Sequence, residues 1–380
     1  MRGGYSIDKS PPGIIFSHGK TWKDLRGITM HYMKDLGMGK KVFDDLIEQQ
    51  ADFLIEYIES HCLDTPVYVD QLFFRATLSV IWRIIADESL PFEHERLETV
   101  FTSVKEYLDD MGSLLVQSTM HSELLSKAIE FLGLSTQKQS HVKLFKEIEN
   151  VIENIQLNGS DCTITEAFLD RMKTDENNPL LEGQLGKLNL RNVLLDLIIG
   201  ATDTTSCSLQ WSLLYLLKYP DCQSRIEEEH LLENKPYTDA FILETLRKGC
   251  LGPVGVPRMT EADIQMDNYF IPKNTIILAL LGDLFQNPQY FPNPEKFDPE
   301  RFLSYKNDQL KFTPDPKMII FQMGRRKCPA ESMAKLEMKI IIQKLLRKYE
   351  IEAGSELLEI PNAAFAKAPL PFKVVFRKRY

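Results

Sequence analysis

From residue 22 to about residue 250, apolar side chains return every third or fourth position. That is the spacing of helices that each bury one face. It predicts helices over Trp22–Lys34, Phe43–Glu59, Asp70–Ala86, Leu97–Leu115, Lys143–Ile155, Ile164–Lys173 and Tyr237–Lys248. Leu188–Leu217 is the longest run and is apolar nearly all round, which predicts passage through the core. Past residue 250 the texture changes. Pro253, Pro257, Pro272, Pro288, Pro292, Pro294 and Pro299 punctuate the chain. Tyr269–Ile271, Thr275–Leu280 and Phe372–Phe376 have strand character. A further helix, largely buried, is expected from Glu331 onward. The pattern predicts a mainly α protein with small β-sheets, an α+β class.

Composition narrows the function classes. The 380 residues are 43% hydrophobic and 26% charged, with a net charge of −9. This is ordinary globular composition and speaks against general nucleic-acid binding. The six cysteines show no CxxC pairing and point to a reducing compartment. The seven histidines show no zinc spacing. No stretch approaches the roughly 18 uninterrupted apolar residues of a membrane span, and the start has no signal-peptide core. Length alone suggests two or three domains as a soft prior, but no repeat or linker divides the chain.

The chemistry concentrates in Phe321-Gln322-Met323-Gly324-Arg325-Arg326-Lys327-Cys328-Pro329-Ala330. A lone cysteine is usually a small buried hydrophobe. Here Gly324 permits a tight turn, Arg325 and Lys327 add charge that favours thiolate, and Pro329 suits a first helical turn. A helix N-terminus beyond it favours an anionic sulfur. A second oddity is Gly200-Ala201-Thr202-Asp203-Thr204-Thr205-Ser206 inside the longest helix. For one threonine an exposed polar face is the simpler reading. Between Leu194–Ile199 and Leu209–Trp211, a polar gap is also a place for a small ligand or water. Glu244 and Arg247 share a helix face, an arrangement that is usually a solvated pair of small value. Trp22 and Arg26 likewise share a face.

These segments together resemble the cytochrome P-450 family of haem-thiolate monooxygenases, in the microsomal drug- and steroid-oxidising branch. Phe321, Gly324, Arg326 and Cys328 fit its Phe-x-x-Gly-x-Arg-x-Cys-x-Gly loop, with Ala330 in place of the last glycine. Asp203 and Thr204 fit its oxygen-binding groove, with Gly200-Ala201 inverted. Glu244-x-x-Arg247, Pro299-Glu300-Arg301-Phe302, Trp22-x-x-x-Arg26 and Pro253–Arg258 follow the family order. The resemblance implies haem b held through its iron by Cys328. It implies that Trp22, Arg26, Arg326 and Arg258 meet the propionates, and that Phe321 and Gly324 shape the loop. Thr204 would hydrogen-bond dioxygen and Asp203 would relay protons. Glu244, Arg247 and Arg301 would form a structural charge triad.

The same resemblance implies one partial domain over residues 1–380, without the usual N-terminal anchor, hinge, first strands and first helices. Without those strands, Thr275–Leu280 is expected to lack sheet partners and expose apolar edges. The segment between Glu229 and Tyr237 is shorter than the family norm. An apolar substrate would be oxidised with electrons from NADPH through cytochrome P-450 reductase, with cytochrome b5 as a further partner. Lys327, Arg325 and Lys335 would form the docking patch, unless they are solubilising charges. The setting would be the cytosolic face of the endoplasmic reticulum membrane. Ile199, Ala201, Val254–Val256 and Ala366–Leu370 would govern specificity, and no code in them names the substrate. Two rivals stand: a non-catalytic or haem-less truncated pseudoenzyme, and a haem-thiolate isomerase or dehydratase acting on oxidised lipids. The Asp203–Thr204 pair weighs against the latter.

Overall fold

A computed structural model describes residues 12–112, 137–158, 163–175, 178–361 and 366–379. The helices are α1 (Gly19–Asp35), α2 (Lys41–His61), α3 (Asp70–Ala86), α4 (Glu95–Gly112), α5 (Gln137–Asn158), α6 (Ile164–Thr174), α7 (Gly183–Lys218), α8 (Pro220–Glu228), α9 (Pro236–Gly249), α10 (Leu281–Gln286) and α11 (Glu331–Lys348). The expected helix over Leu97–Leu115 corresponds to α4, and its last residues lie outside the described ones. Pro220 follows the C-cap of the long helix at Tyr219. It also opens α8 as an N-terminal helical residue, where its missing N–H costs nothing.

The apolar stripes become the buried faces. In α1 these are Thr21, Leu25, Thr29 and Met33 at four-residue spacing. In α2 they include Phe43, Ile47, Ala51, Leu54 and Ile58. The 36 residues of α7 span about 54 Å at the α-helical rise. It packs along α3, and α11 lies against it. One hydrophobic cluster runs from Ile14 through these helices to Phe376.

The strands are β1 (Val67–Tyr68), β2 (Arg258–Met259), β3 (Ile264–Met266), β4 (Tyr269–Ile271), β5 (Ile276–Ile277), β6 (Leu303–Lys306), β7 (Gln309–Phe312), β8 (Tyr349–Ala353) and β9 (Lys373–Lys378). β9 lies between β1 and β8 in an antiparallel sheet, with Ile351 opposite Phe376. β3–β4 and β6–β7 are hairpins. The strand expected over Thr275–Leu280 is shorter and not partnerless. Ile276 and Ile277 pair with Met259 and Arg258, and Leu280 bridges Val254. The apolar exposure is as expected, because Ile276, Leu278 and Leu280 remain in solvent.

Candidate functional site

α7 is buried along most of its length, yet Gly200 near its middle is exposed. A Cβ built on Gly200 would meet nothing within 4 Å. Asp203 and Thr204 sit half-buried beside this opening. The hydroxyls here are absorbed by the helix itself. Thr204 Oγ1 donates to the Gly200 carbonyl at 2.7 Å, and Ser208 Oγ donates to the Thr204 carbonyl at 2.8 Å. From α3, Thr77 Oγ1 donates to the Thr202 carbonyl at 3.0 Å. Burial pushes the Asp203 carboxyl up to about 6. The Cys207 S–H, 3.8 Å from Oδ1, works against that rise, and Asp109 on α4 adds to it.

The loop carrying Cys328 is shaped by two left-handed residues, Gln322 at φ +66° and Gly324 at φ +72°. Nothing lies within 4 Å of a Cβ at Gly324, so conformation and not space calls for glycine there. A 3-10 turn over Gly324–Arg326 follows. The Cys328 N–H then closes the loop on the Phe321 carbonyl at 2.9 Å. Pro329 stands ahead of the α11 N-cap, Ala330, and is not a first-turn residue.

Burial pushes the Cys328 thiol up, and Glu331 adds to the rise. The Ala330 backbone N–H, Arg26 and Lys327 oppose it without prevailing. Lys327 therefore favours thiolate as expected, and Arg26 with it, but desolvation outweighs both. Lys327 and Lys335 also both pair with Glu331, each at 2.7 Å. Of the expected docking cations, Arg325 is exposed, while these two are engaged locally.

Three arginines converge near the loop. Arg26 donates to the Lys327 carbonyl, and Arg326 to the Ser17 carbonyl, each at 2.5 Å. Arg326 lies over the Trp22 ring at 4.2 Å, with Arg26 at 5.8 Å from the same ring. Burial lowers the Arg326 guanidinium, and repulsion from Arg258 and Arg26 lowers it further. Among the described residues none of the three has a carboxylate within ion-pair distance. A mutually repelling, partly desolvated cationic group fits a ligand with more than one acidic arm.

Contacts link these parts in a ring that begins and ends on α7. The Asp196 carboxylate accepts the N–H groups of Ile14 (2.6 Å) and Ile15 (3.0 Å). Ser17 follows and holds Arg326 of the cysteine loop. In that loop, the Gln322 amide is so close to Gly255 that a Cβ there would lie 2.5 Å away. Back along the chain, the Leu251 carbonyl accepts the Lys367 N–H at 2.9 Å. Trp211 Nε1 on α7 donates to the Lys367 carbonyl at 2.7 Å. Gly200, Asp203 and Thr204 fall on α7 between the two ends of this ring. A loop sulfur, a gap in a buried helix and arginines without a carboxylate partner are groups that fit a haem: a soft ligand for its iron and cations for its propionates.

Glu244, Arg247 and Arg301 also come together. Arg247 grips both Glu244 carboxylate oxygens at 2.8 Å, with both side chains wholly buried. Arg301 Nε lies 3.1 Å from the same carboxylate, and the Asp298 N–H donates to it at 2.9 Å. Arg247 also donates to the carbonyls of Phe285, Pro294 and Lys296. Every acceptor in this group is charged or backbone, as a buried ion pair demands.

Sequence reasoning missed Asp196, Cys207, Trp211 and Gln322. A readable signal existed for two of them. Asp196 is a lone acid in an apolar run. Cys207 follows Asp203 by four residues on the same helix face.

A family model described as Cytochrome P450 matches residues 5–376. Cytochrome P450 2L1 of Panulirus argus is 28% identical, over 97% of this chain and 78% of that protein. Cytochrome P450 2C8 of Homo sapiens is 28% identical, over 93% of this chain and 74% of its own length. Cytochrome P450 2H1 of Gallus gallus is 28% identical, over 97% and 77% respectively.

Proposed function

Because the chain belongs to the cytochrome P450 family of haem-thiolate monooxygenases, we propose that it oxidises an apolar organic substrate: a lipid, steroid or xenobiotic. One atom of dioxygen enters the substrate and the other leaves as water. Electrons come from NADPH through a cytochrome P450 reductase, with cytochrome b5 as a second donor. Residues 1–380 act as one domain at the cytosolic face of the endoplasmic reticulum membrane. Among the described residues no helix is long and apolar enough to cross a membrane, so attachment there would use other segments or the exposed apolar surface. The contacts that tie α7, on both sides of the Gly200 opening, to segments reaching the Cys328 loop carry this reading.

When bound, haem supplies iron whose thiolate ligand favours O–O cleavage. The chain's own residues bind, orient and move protons. Cys328 would ligate the haem iron through a sulfur whose loop is held by the Cys328 N–H bond to the Phe321 carbonyl. Trp22, Arg26, Arg326 and Arg258 would hold the propionates by charge and hydrogen bonds. Thr204 keeps its proton on the Gly200 carbonyl and can turn it toward a ligand in the opening. Asp203, with its proton affinity raised close to neutrality, exchanges protons with water at the same opening. Val254 and Val256, both exposed, border the substrate. Glu244, Arg247 and Arg301 stiffen the chain that leads into the cysteine loop.

The carbon monoxide spectrum of the reduced protein tests this. The displaced Soret band of a thiolate centre is expected in the wild type and absent in Cys328→Ser. A protein that stays colourless with hemin, or binds it equally without the sulfur, defeats the reading. Turnover without NADPH or reductase points to the isomerase.

A further inference from the structure

Asp203, Cys207 and Trp211 stand four residues apart on one face of α7. The C-terminal turn Ala366–Ala368 packs on that face, and Cys207, Ala366 and Ala368 form a small buried cluster of their own. The Cys207 sulfur is equidistant from two acceptors, Asp203 Oδ1 and the Ala366 carbonyl, each at 3.8 Å. One S–H proton serves only one of them at a time. Trp211 fixes the turn independently, through its bond to the Lys367 carbonyl. The indole in turn rests on Gly249 at the end of α9, where a Cβ would fall 2.8 Å from the ring. The absence of a side chain at Gly249 is what lets Trp211 reach Lys367.

We propose that Cys207 and Trp211 are positioning residues that tie the Ala366–Ala368 turn to Asp203. Cys207 holds the acid through its thiol and Trp211 sets how closely the turn seals it. What fills the space beside the turn is thereby felt at the proton-handling group. The inference rests on the reading of Asp203 as that group.

Burial is the main cause of the raised proton affinity of Asp203. The groups facing it from the packed elements are the Cys207 thiol on its own helix and Asp109 from α4. α3 faces this part of α7 with the uncharged Thr77. Loss of the thiol and loss of the seal therefore act in opposite directions. Without S–H the carboxylate loses a donor and its midpoint rises. Without the seal, more water reaches it and its midpoint falls.

The experiment uses the haem-loaded protein. The carbonyl stretch of protonated Asp203, identified by its loss in D203N, is titrated by infrared difference spectroscopy. C207A is expected to raise the midpoint by roughly half a pH unit, and C207S to restore it. W211F and G249A are expected to lower the midpoint and to speed amide exchange at Lys367 roughly tenfold, the loss of one buried hydrogen bond. A midpoint unmoved in C207A overturns the inference, as does one unmoved in W211F once the turn exchanges faster. The pH profile of NADPH coupling to product is read in parallel. If the midpoint moves as expected while that profile stays fixed, the positioning inference stands and Asp203 is removed from proton delivery.

Discussion

The Arg26 guanidinium donates to the Lys327 carbonyl at 2.5 Å, one residue before the cysteine. A residue of α1 thus holds the ligand loop by its backbone, whatever side chain position 327 carries. Arg26→Met keeps the apolar stem and deletes the fork. It should cost about 1 kcal/mol of stability in the haem-free protein. Haem transfer to a scavenger protein should run several-fold faster than from wild type. Equal transfer rates would show that α1 does not restrain the loop.

The buried Glu244–Arg247 pair has no solvent to fall back on. Arg247→Met leaves a carboxylate with only the partly exposed Arg301 and a backbone N–H. The expected loss is about 3–5 kcal/mol, the cost of an uncompensated buried charge. Urea unfolding of the purified protein measures it. Replacing both residues by apolar ones should cost clearly less than the single change, since no charge is then stranded.

Asp203 gives a pH-dependent prediction. Its carboxyl is raised from 3.8 to about 6 in the folded state. The unfolded chain therefore gives up this proton at lower pH than the folded one. Below about pH 4 both states hold the proton and the group is neutral to stability. As pH rises the penalty grows, and above about pH 6 it is complete. The two-unit difference corresponds to at most about 3 kcal/mol, reduced by partial exposure. D203N should therefore unfold at higher denaturant than wild type near pH 8, and alike near pH 4. A constant gain at all pH would assign the effect to packing.

Glu337 on α11 is 1% exposed, and its Oε1 has no hydrogen-bond partner. Burial raises its carboxyl well above the ordinary range, which favours the neutral acid. The sign matches that of Asp203: stability is lost as pH rises past the unfolded value. E337Q, which cannot ionise, should gain over wild type increasingly with pH, seen as a growing gap in thermal midpoints. A gap that shrinks with pH would mean that Glu337 is ionised and paired.

The helices, their buried stripes and the cysteine loop were legible because each depends on local spacing. Phe43, Ile47 and Ala51 face inward in α2 as their period demands. Gly324 takes the positive φ that its place in the loop suggested. Contacts between distant segments carry no such period. Nothing near Thr275–Leu280 marks Arg258–Met259 as its partner, and nothing near Leu194–Ile199 marks the amides of Ile14 and Ile15 as what Asp196 accepts.

The sequence by itself determined a mainly helical chain, a thiol on a glycine-hinged loop and an acid–alcohol pair in the longest helix. Only the tertiary structure decided which influence on that thiol prevails in the haem-free chain, because burial of the sulfur outweighs the cations that flank it. It alone decided that Lys327 and Lys335 are spent on Glu331, and that Asp196 and Trp211, on either side of Gly200 in α7, hold segments that lead to the cysteine loop. Desolvation and long-range contact depend on what packs beside a residue in space, and spacing along the chain does not encode that.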